Sequence, residues 1–273
     1  MRVSRSFLFL FLTCNLQLAT CNFAFSLPPF RSLFESKYGY KADCTLCHVS
    51  DDWDLNAYGK GFLKNGMDFS ALSAMENIDI DKDGSLTLEE IKAKSNSGDP
   101  QSTPEHAGHW LTNIIPLKAP VKDLKEAFPD ADLFETLERP LTDPEIARIK
   151  RSTPSFALAD SDKFAVVFLA KNGEGVILGG STFIPVSETT KNNTDLHVFI
   201  LSANPNGKII QIETIRTRRK EFKSLPFLKL FKDVWPEDLL KSKIPKGVNP
   251  KLALSVFNQA AKYAKQIDVV IAP

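Results

Sequence analysis

Residues 44–48 spell Cys-Thr-Leu-Cys-His, and this short motif restricts the surrounding fold more than any other feature of the chain. Two thiols separated by two residues can each form a thioether with one vinyl group of a haem, and the histidine that follows is then held at the iron. A segment of this kind has to fold around a large planar group. The motif predicts covalent haem on Cys44 and Cys47, with His48 as an axial ligand of the iron.

Zinc binding and thiol redox chemistry also use paired cysteines. A zinc site needs further Cys or His ligands at a suitable spacing, and only His106, His109 and His197 lie downstream. A thioredoxin-like site needs a strand before the motif and a helix that starts within it. The sequence indicates neither, so haem attachment is favoured and both alternatives stay open.

The N-terminal residues have the pattern of a secretory signal peptide. Arg2 and Arg5 precede an apolar run at residues 7–12, and Ala-Phe-Ser at residues 24–26 is a small-x-small cleavage site. The apolar run is too short to span a bilayer. We expect residues 1–26 to be removed on export to the periplasm. A lipid anchor is the less favoured alternative, because the residue before Cys21 fits a lipobox poorly.

Export would also change the cysteine count and the charge. The full chain of 273 residues has four cysteines and a net charge of +1. Loss of residues 1–26 removes two cysteines and two arginines, which lowers the net charge by two, to −1. Two remaining cysteines cannot form a disulfide framework, and a charge near zero argues against a nucleic-acid-binding protein. The length allows two ordinary domains.

Residues 79–90 match the twelve-residue loop of an EF-hand. Carboxylates stand at alternate positions, Gly84 permits the sharp turn, and a glutamate closes the loop. The predicted calcium ligands are Asp79, Asp81, Asp83, Ser85 through its backbone carbonyl, Thr87 through a water, and Glu90 through two oxygens. Apolar residues at helical spacing precede the loop and predict an entering helix; they are Phe69, Leu72, Met75 and Ile78. A single loop indicates structural calcium rather than a calcium sensor.

Near Leu117 the sequence pattern changes from helical and loop segments to a series of predicted strands, and this change predicts two domains. The small, polar residues 95–104 indicate a linker or surface loop, and we place a haem and calcium domain at 27–116 and a second domain at 117–273. The second domain contains predicted helices at 121–128 and from Thr142 onward, strands at 164–169, 176–185, 197–201 and 209–215, and a last helix that Asn249 caps and Pro250 opens. The predicted fold is a small, mostly α domain followed by an α+β domain with an antiparallel sheet.

Residues 34–100 resemble exported bacterial mono-haem modules. In that family the haem motif lies near a Tyr-Gly stretch, here residues 38–40, and precedes an Asn-x-Tyr/Phe-Gly element, here residues 56–59. A DxDxDG calcium loop and a Gly-Asp-Pro tail follow, here residues 79–84 and 98–100. The resemblance implies one haem and one calcium ion in the same small domain.

Residues 121–273 resemble the FMN-binding domain of the flavin subunits in the Rnf and Nqr redox complexes. The similar features are Phe-Pro at 128–129 after a helix, Asn-Gly-Lys-Ile at 206–209 between two strands, and Phe-Leu-Lys-Leu-Phe at 227–231. In that family a Ser-Gly-Ala-Thr signature before the last helix carries FMN on the threonine hydroxyl. The resemblance implies an FMN-binding-like domain.

The signature segment differs in this chain. Residues 246–251 are Lys-Gly-Val-Asn-Pro-Lys, so Asn249 stands at the threonine position and has no hydroxyl for a covalent flavin. Non-covalent FMN stays open, with its phosphate at Gly247 and Asn249, because a helix N-terminus presents backbone donors and a positive dipole end. The alternative is that the nearby basic residues, such as Lys246 and Lys251, are exposed to solvent and that no flavin binds.

The ligand on the other side of the iron has four candidates, which are Met67, Met75, His106 and His109. Met75 also fits the apolar stripe of the entering helix, and His197 alternates with apolar residues in a strand, which favours a structural role. A sixth protein ligand favours electron transfer, whereas an open position would permit ligand binding or catalysis.

These features predict a periplasmic electron-transfer protein that exchanges electrons with a redox partner protein, for example a membrane redox complex that it contacts peripherally. The alternative is a haem-bearing docking protein whose C-terminal domain holds no flavin. A reductase or peroxidase with an open iron position is a third hypothesis, for which the sequence shows no acid–base set near the haem motif. An electron carrier is therefore favoured over an enzyme.

Overall fold

A computed structural model describes residues 28–49, 54–112, 114, 117–152, 157–191 and 193–272 of the chain. The predicted signal peptide at residues 1–26 lies outside the described residues. Within the described ranges, every helix is either too short or too polar to cross a lipid bilayer.

The N-terminal third of the described chain is helical. Its helices are α1 (Pro28–Tyr38), α2 (Ala57–Lys64), α3 (Phe69–Met75) and α4 (Thr87–Ala93), with a 3₁₀ turn at Cys44–Leu46. Side-chain caps start two of them: the Asn56 carboxamide accepts the N–H of Gly59, and the Asp68 carboxylate accepts the N–H of Ala71. Apolar side chains from these helices share one core, which includes Leu33, Phe34, Leu46, Tyr58, Phe62, Leu72 and Met75.

The rest of the chain is α+β. Its elements are α5 (Val121–Ala127), β1 (Leu133–Pro140), α6 (Asp143–Ser152), β2 (Phe164–Lys171), β3 (Ile177–Thr189), β4 (Thr194–Ala203), β5 (Ile209–Arg216), α7 (Leu225–Leu228), α8 (Pro236–Leu239) and α9 (Pro250–Ile271). The strands form one sheet in the order β1-β2-β3-β4-β5, and all neighbours are antiparallel. The predicted α+β class with an antiparallel sheet is therefore confirmed.

Both faces of the sheet are covered, which explains the nearly continuous apolar run in β2. Val167 and Leu169 lie in the cluster that α9 completes, whereas Phe168, between them, lies in the cluster on the other face with Leu124 of α5. Alternate residues of a strand point to opposite faces, so such a strand has to be apolar throughout. Helix α9 begins as predicted, with Pro250 in its first turn and Asn249 accepting the N–H of Leu252 at 3.2 Å.

Helix α1 joins the N-terminal helices to the sheet. Its Arg31 forms an ion pair with Glu138 of β1 at 2.9 Å, and Ser32 donates a hydrogen bond to the same carboxylate at 3.0 Å. Phe164 of β2 lies in the N-terminal core, and Phe30 of α1 packs against both that core and the sheet. These contacts hold the end of the sheet beside the haem motif.

Three local predictions were wrong. Strand β1 was not predicted, because it is a half-exposed edge strand with charged residues and no clear apolar alternation. The entering helix ends at Met75, and Ile78 beyond it is 46% exposed. The polar segment at residues 95–104 is not a surface loop at its start, because Ser95, Asn96 and Ser97 are buried among hydrogen-bond partners.

Candidate functional site

The haem motif folds into one tight turn. The backbone carbonyl of Cys44 accepts hydrogen bonds from the N–H groups of Cys47 at 3.1 Å and His48 at 3.0 Å. The carboxylate of Asp43 caps the start of the turn by accepting both the N–H and the hydroxyl of Thr45. Both cysteines are half-buried and His48 is buried, so two sulfurs and an imidazole come from a single rigid segment.

Asn56 fastens this turn to helix α2. Its side-chain amide donates to the carbonyls of Thr45 at 2.9 Å and Leu46 at 3.0 Å, and its side-chain oxygen accepts the N–H of Gly59 at 2.9 Å. Its own backbone N–H donates to the carbonyl of Cys47 at 3.0 Å. One buried side chain therefore fixes the turn and caps the helix. The sequence placed Asn56 in a family motif but did not reveal this role.

Two glycines allow the backbone to approach this closely. A Cβ atom on Gly59 would lie 2.2 Å from the carbonyl oxygen of Cys47. A Cβ atom on Gly98 would lie 2.2 Å from the side-chain nitrogen of Asn56 and 2.4 Å from the carbonyl oxygen of Leu46. Glycine is required at both positions because any side chain would push the neighbouring backbone or the Asn56 side chain away. The turn, α2 and the segment after α4 thus form one packed unit.

A cleft with a volume of about 240 Å³ opens beside the turn, and Cys47 and His48 lie on its wall. Its apolar lining comes from Phe30, Leu55, Phe62, Leu63, Met67 and Leu196. Its polar lining includes Lys60 of α2 together with residues from the end of the sheet, which are Asn193, Thr194, Asp195, Arg216 and Arg218. An apolar cleft with an imidazole on its wall and a cationic edge fits a planar apolar group that carries carboxylates.

Of the four candidates for the second axial ligand, Met67 is the residue that lines this cleft together with His48. Met75 is 1% exposed and belongs to the helical core, which agrees with the structural role that its spacing suggested. His106 and His109 are exposed and do not line the cleft. Met67 is therefore the candidate that the fold places on the same cleft as His48.

His197 makes two hydrogen bonds inside the protein, as a structural histidine does. It is 1% exposed, its Nδ1 lies 2.7 Å from the hydroxyl of Thr217, and its Nε2 lies 3.2 Å from the carboxylate of Glu188. The guanidinium of Arg219, followed by His197, holds the pKa of the Glu188 carboxyl below its usual range. The histidine belongs to this network rather than to the cleft.

The surroundings of the cysteines disfavour the two alternative chemistries. Burial, with a smaller contribution from Cys44, raises the pKa of the Cys47 thiol to about 12, whereas redox-active thiols have a lowered pKa. Among the described residues, the compact group of metal-ligating side chains consists of Asp79, Asp81 and Asp83, and it includes neither cysteine. Neither a thiol-redox site nor a zinc site on Cys44 and Cys47 gains support from this geometry.

The EF-hand-like loop gathers four carboxylates. Asp79, Asp81 and Asp83 each offer an oxygen within 4.8 Å of the others, and Glu90 of α4 is fully buried behind them. One oxygen of Asp81, one of Asp83 and both oxygens of Glu90 are buried and lack a hydrogen-bond partner. Buried acceptors of this kind are rarely left unpaired in folded proteins. The loop therefore has oxygen ligands that a bound cation would satisfy.

Burial and mutual repulsion raise the pKa values of two of these carboxyl groups. Burial, followed by the negative charges of Asp81 and Asp83, raises the pKa of Glu90 to about 8. Burial and then Asp83 raise the pKa of Asp81 to about 6. A hard divalent cation with oxygen ligands, such as Ca²⁺, would relieve the repulsion.

The other predicted calcium ligands lie in the same loop. The N–H of Ser85 donates to the carboxylate of Asp83 at 2.7 Å, and the N–H of Gly84 donates to that of Asp79 at 3.1 Å. The hydroxyl of Thr87, predicted to hold a bridging water, is buried and donates to the carbonyl of Ile78 at 2.8 Å. Gly84 has a φ of +102°, which explains the glycine at this position.

The predicted flavin-phosphate residues lie elsewhere, at the start of α9. Gly247 and Asn249 are exposed, and neither lines the cleft beside His48. The side-chain oxygen of Asn249 is already engaged as the helix cap, where it accepts the N–H of Leu252. Asn249 therefore has a structural role that explains its presence without a flavin.

No protein-family model, curated protein or solved structure matches this chain. The chemistry assigned to the site depends on its residues and their geometry.

Proposed function

We propose that this protein is an exported, periplasmic electron-transfer protein with one covalent c-type haem and one structural calcium ion. The observation that carries the proposal is the apolar cleft whose wall includes Cys47 and His48, next to a turn that is held rigidly by Asn56. Residues 79–90 add the calcium site through their buried, unpaired carboxylate oxygens.

The residues present fit a haem. Cys44 and Cys47 would hold it through thioethers, and His48 would bind the iron. Phe30, Phe62 and the other apolar side chains of the cleft would exclude water from its face. A bound haem would supply a one-electron couple between ferric and ferrous iron. This chain's own contribution is to fix the porphyrin, to supply the imidazole, and to set the polarity around it.

Six-coordinate iron suits electron transfer, because no position is left for substrate. Met67 lines the same cleft as His48, so its thioether would supply a second protein ligand to the iron. A reductase or peroxidase would instead need an open position and an acid–base set beside it. Among the described residues, the carboxylate side chains that line the cleft are Asp54 and Asp195, and each has an arginine beside it.

A haem-bearing docking protein is the second candidate function. The observation that favours it is Asn249, whose side chain caps α9 and offers no hydroxyl for a covalent flavin. In this case the C-terminal α+β domain would bind a redox partner protein, such as a membrane redox complex, without a cofactor of its own. Non-covalent FMN at Gly247 and Asn249 would instead make the chain a two-cofactor electron carrier.

An anaerobic redox titration of the exported protein, followed by absorption spectroscopy, tests the proposal. We expect a reversible one-electron transition of a low-spin haem. If the C-terminal domain has only a docking function, acid precipitation of the protein should release no flavin into the supernatant. Met67→Leu should convert the iron to a high-spin form, whereas the matched Met75→Leu should leave the spectrum unchanged. If the unmutated protein has a high-spin spectrum and its haem binds small ligands freely, the assignment as an electron carrier is contradicted and catalysis is favoured.

A further inference from the structure

The end of the C-terminal sheet forms one wall of the haem cleft. Leu196 of β4 lies among the apolar residues of that wall, and Arg216 ends β5 at its polar edge. Phe30 of α1 and Leu196 both pack against the sheet cluster that contains Phe168, and Phe30 also packs against the N-terminal core, so the wall is attached to both parts of the chain. The cleft would lose this side if the C-terminal residues were absent.

An irregularity in the sheet places Arg216 at this edge. Thr214 pairs with Phe199 and Arg216 pairs with Val198, so Ile215 is the extra residue of a β-bulge. A bulge changes the direction of the side chains that follow it, and bulges are common beside functional sites. Ile215 itself packs against the sheet cluster that includes Leu196. The bulge therefore positions the guanidinium that follows it.

Two ion pairs between described residues lie along this edge. Arg216 lies 4.0 Å from the carboxylate of Asp54, and the Asp54 side chain is 80% exposed. Arg218 lies 3.1 Å from Asp195, and the Arg218 side chain is 76% exposed. Exposed pairs contribute little to stability. Among the described residues that line the cleft, Lys60, Arg216 and Arg218 are cationic, and Asp54 and Asp195 are acidic.

We propose that Arg216 pairs with a propionate of the haem, so that the last strand of the C-terminal sheet forms part of the haem site. This inference rests on the proposed haem function. A propionate is a carboxylate at the edge of an apolar ring, and a guanidinium can donate two parallel hydrogen bonds to it. Arg216 is half-buried, with 34% of its side chain exposed, so its guanidinium is partly shielded from water at the polar edge of the cleft. The C-terminal domain then has a direct role at the haem.

The pH dependence of the haem midpoint potential tests this pairing. The potential falls as the pH rises through the pKa of a propionate, because deprotonation adds a negative charge near the iron. Arg216→Gln should move this fall to higher pH by about one unit or more, since an adjacent cation lowers a carboxyl pKa by that amount. Arg216→Lys should stay near the unmutated curve. Arg151→Gln, on an exposed position of α6 outside the cleft, is the matched control and should leave the curve unchanged.

Each outcome decides the inference. If Arg216→Gln and the unmutated protein have the same curve while the intact mass shows covalent haem, the pairing is wrong and the proposed function stands. A mass without haem overturns both. Should Arg216→Gln fail to fold, the unmutated protein decides: its propionate titrates below the ordinary carboxyl value of about 4.3 if the pairing is present, and at or above it if not.

Discussion

Replacing Asn56 with alanine should destabilise the protein more than the loss of an ordinary helix cap. The substitution removes three side-chain hydrogen bonds: two to the carbonyls of Thr45 and Leu46, and one from the N–H of Gly59. Asn56 is 8% exposed, so water cannot readily replace these partners. The carbonyls of Thr45 and Leu46 and the N–H of Gly59 would be left without these bonds.

The magnitude follows from these bonds. A buried hydrogen bond contributes about 0.5–1.5 kcal/mol net, so the three together predict a loss of about 2–4 kcal/mol in the free energy of unfolding. Asp68→Ala is the matched control, because Asp68 caps α3 through the N–H of Ala71 at 2.8 Å but does not contact the turn. Loss of a cap alone should cost about 1 kcal/mol.

Urea denaturation of the calcium-loaded holoprotein, monitored by circular dichroism, measures both values. The expected result is a lower midpoint for Asn56→Ala than for Asp68→Ala at a similar dependence on urea concentration. If both variants lose the same free energy, the bonds from Asn56 to the turn have no energetic role. The account of a turn held rigidly by that side chain would then be wrong.

Three further predictions concern calcium, close packing and pH. Saturating Ca²⁺ should raise the free energy of unfolding by about 4 kcal/mol at a thousandfold excess over its Kd, and calorimetry should show that Glu90→Gln loses most of this gain. Gly59→Ala should destabilise the fold by about 1–3 kcal/mol in urea denaturation, because its Cβ would meet the Cys47 carbonyl, whereas Gly61→Ala meets only flexible side-chain ends and should have little effect. Burial and two acidic side chains of α5 raise the pKa of Glu213 to about 7. Folded Glu213 therefore keeps a proton that the unfolded chain loses, so the free energy of unfolding should fall as the pH rises from about 4.5 to 7. Denaturation with calcium present should show a flatter profile for Glu213→Gln, and an unchanged slope would contradict the shift.

Local chemistry made several elements predictable. The Asn249 cap and Pro250 fixed the start of α9, and apolar runs bounded by turn residues predicted strands β2 to β5 with errors of a few residues at their ends. The edge strand β1 was missed because only part of its surface is buried, and a polar strand of this kind has no alternation to detect. Patterns over a few residues therefore predict capped helices and apolar strands, but not a polar edge strand.

The candidate site was predictable only where its residues are close in sequence. The proposed haem motif and calcium loop each occupy a dozen residues or fewer, so their spacing was enough to propose them. The role of Asn56 depends on carbonyls about ten residues away, and the cationic edge at Arg216 depends on sheet register and on how α1 packs against β1. No sequence pattern reports contacts of that range.

The intact mass of the exported protein, prepared with working cytochrome-maturation machinery, shows directly whether haem is attached at Cys44 and Cys47. We expect a chain that begins near residue 27 and is heavier than its polypeptide by one haem, and a Cys44→Ser, Cys47→Ser double variant without that addition. A colourless protein with the mass of the polypeptide alone would contradict covalent haem at this turn.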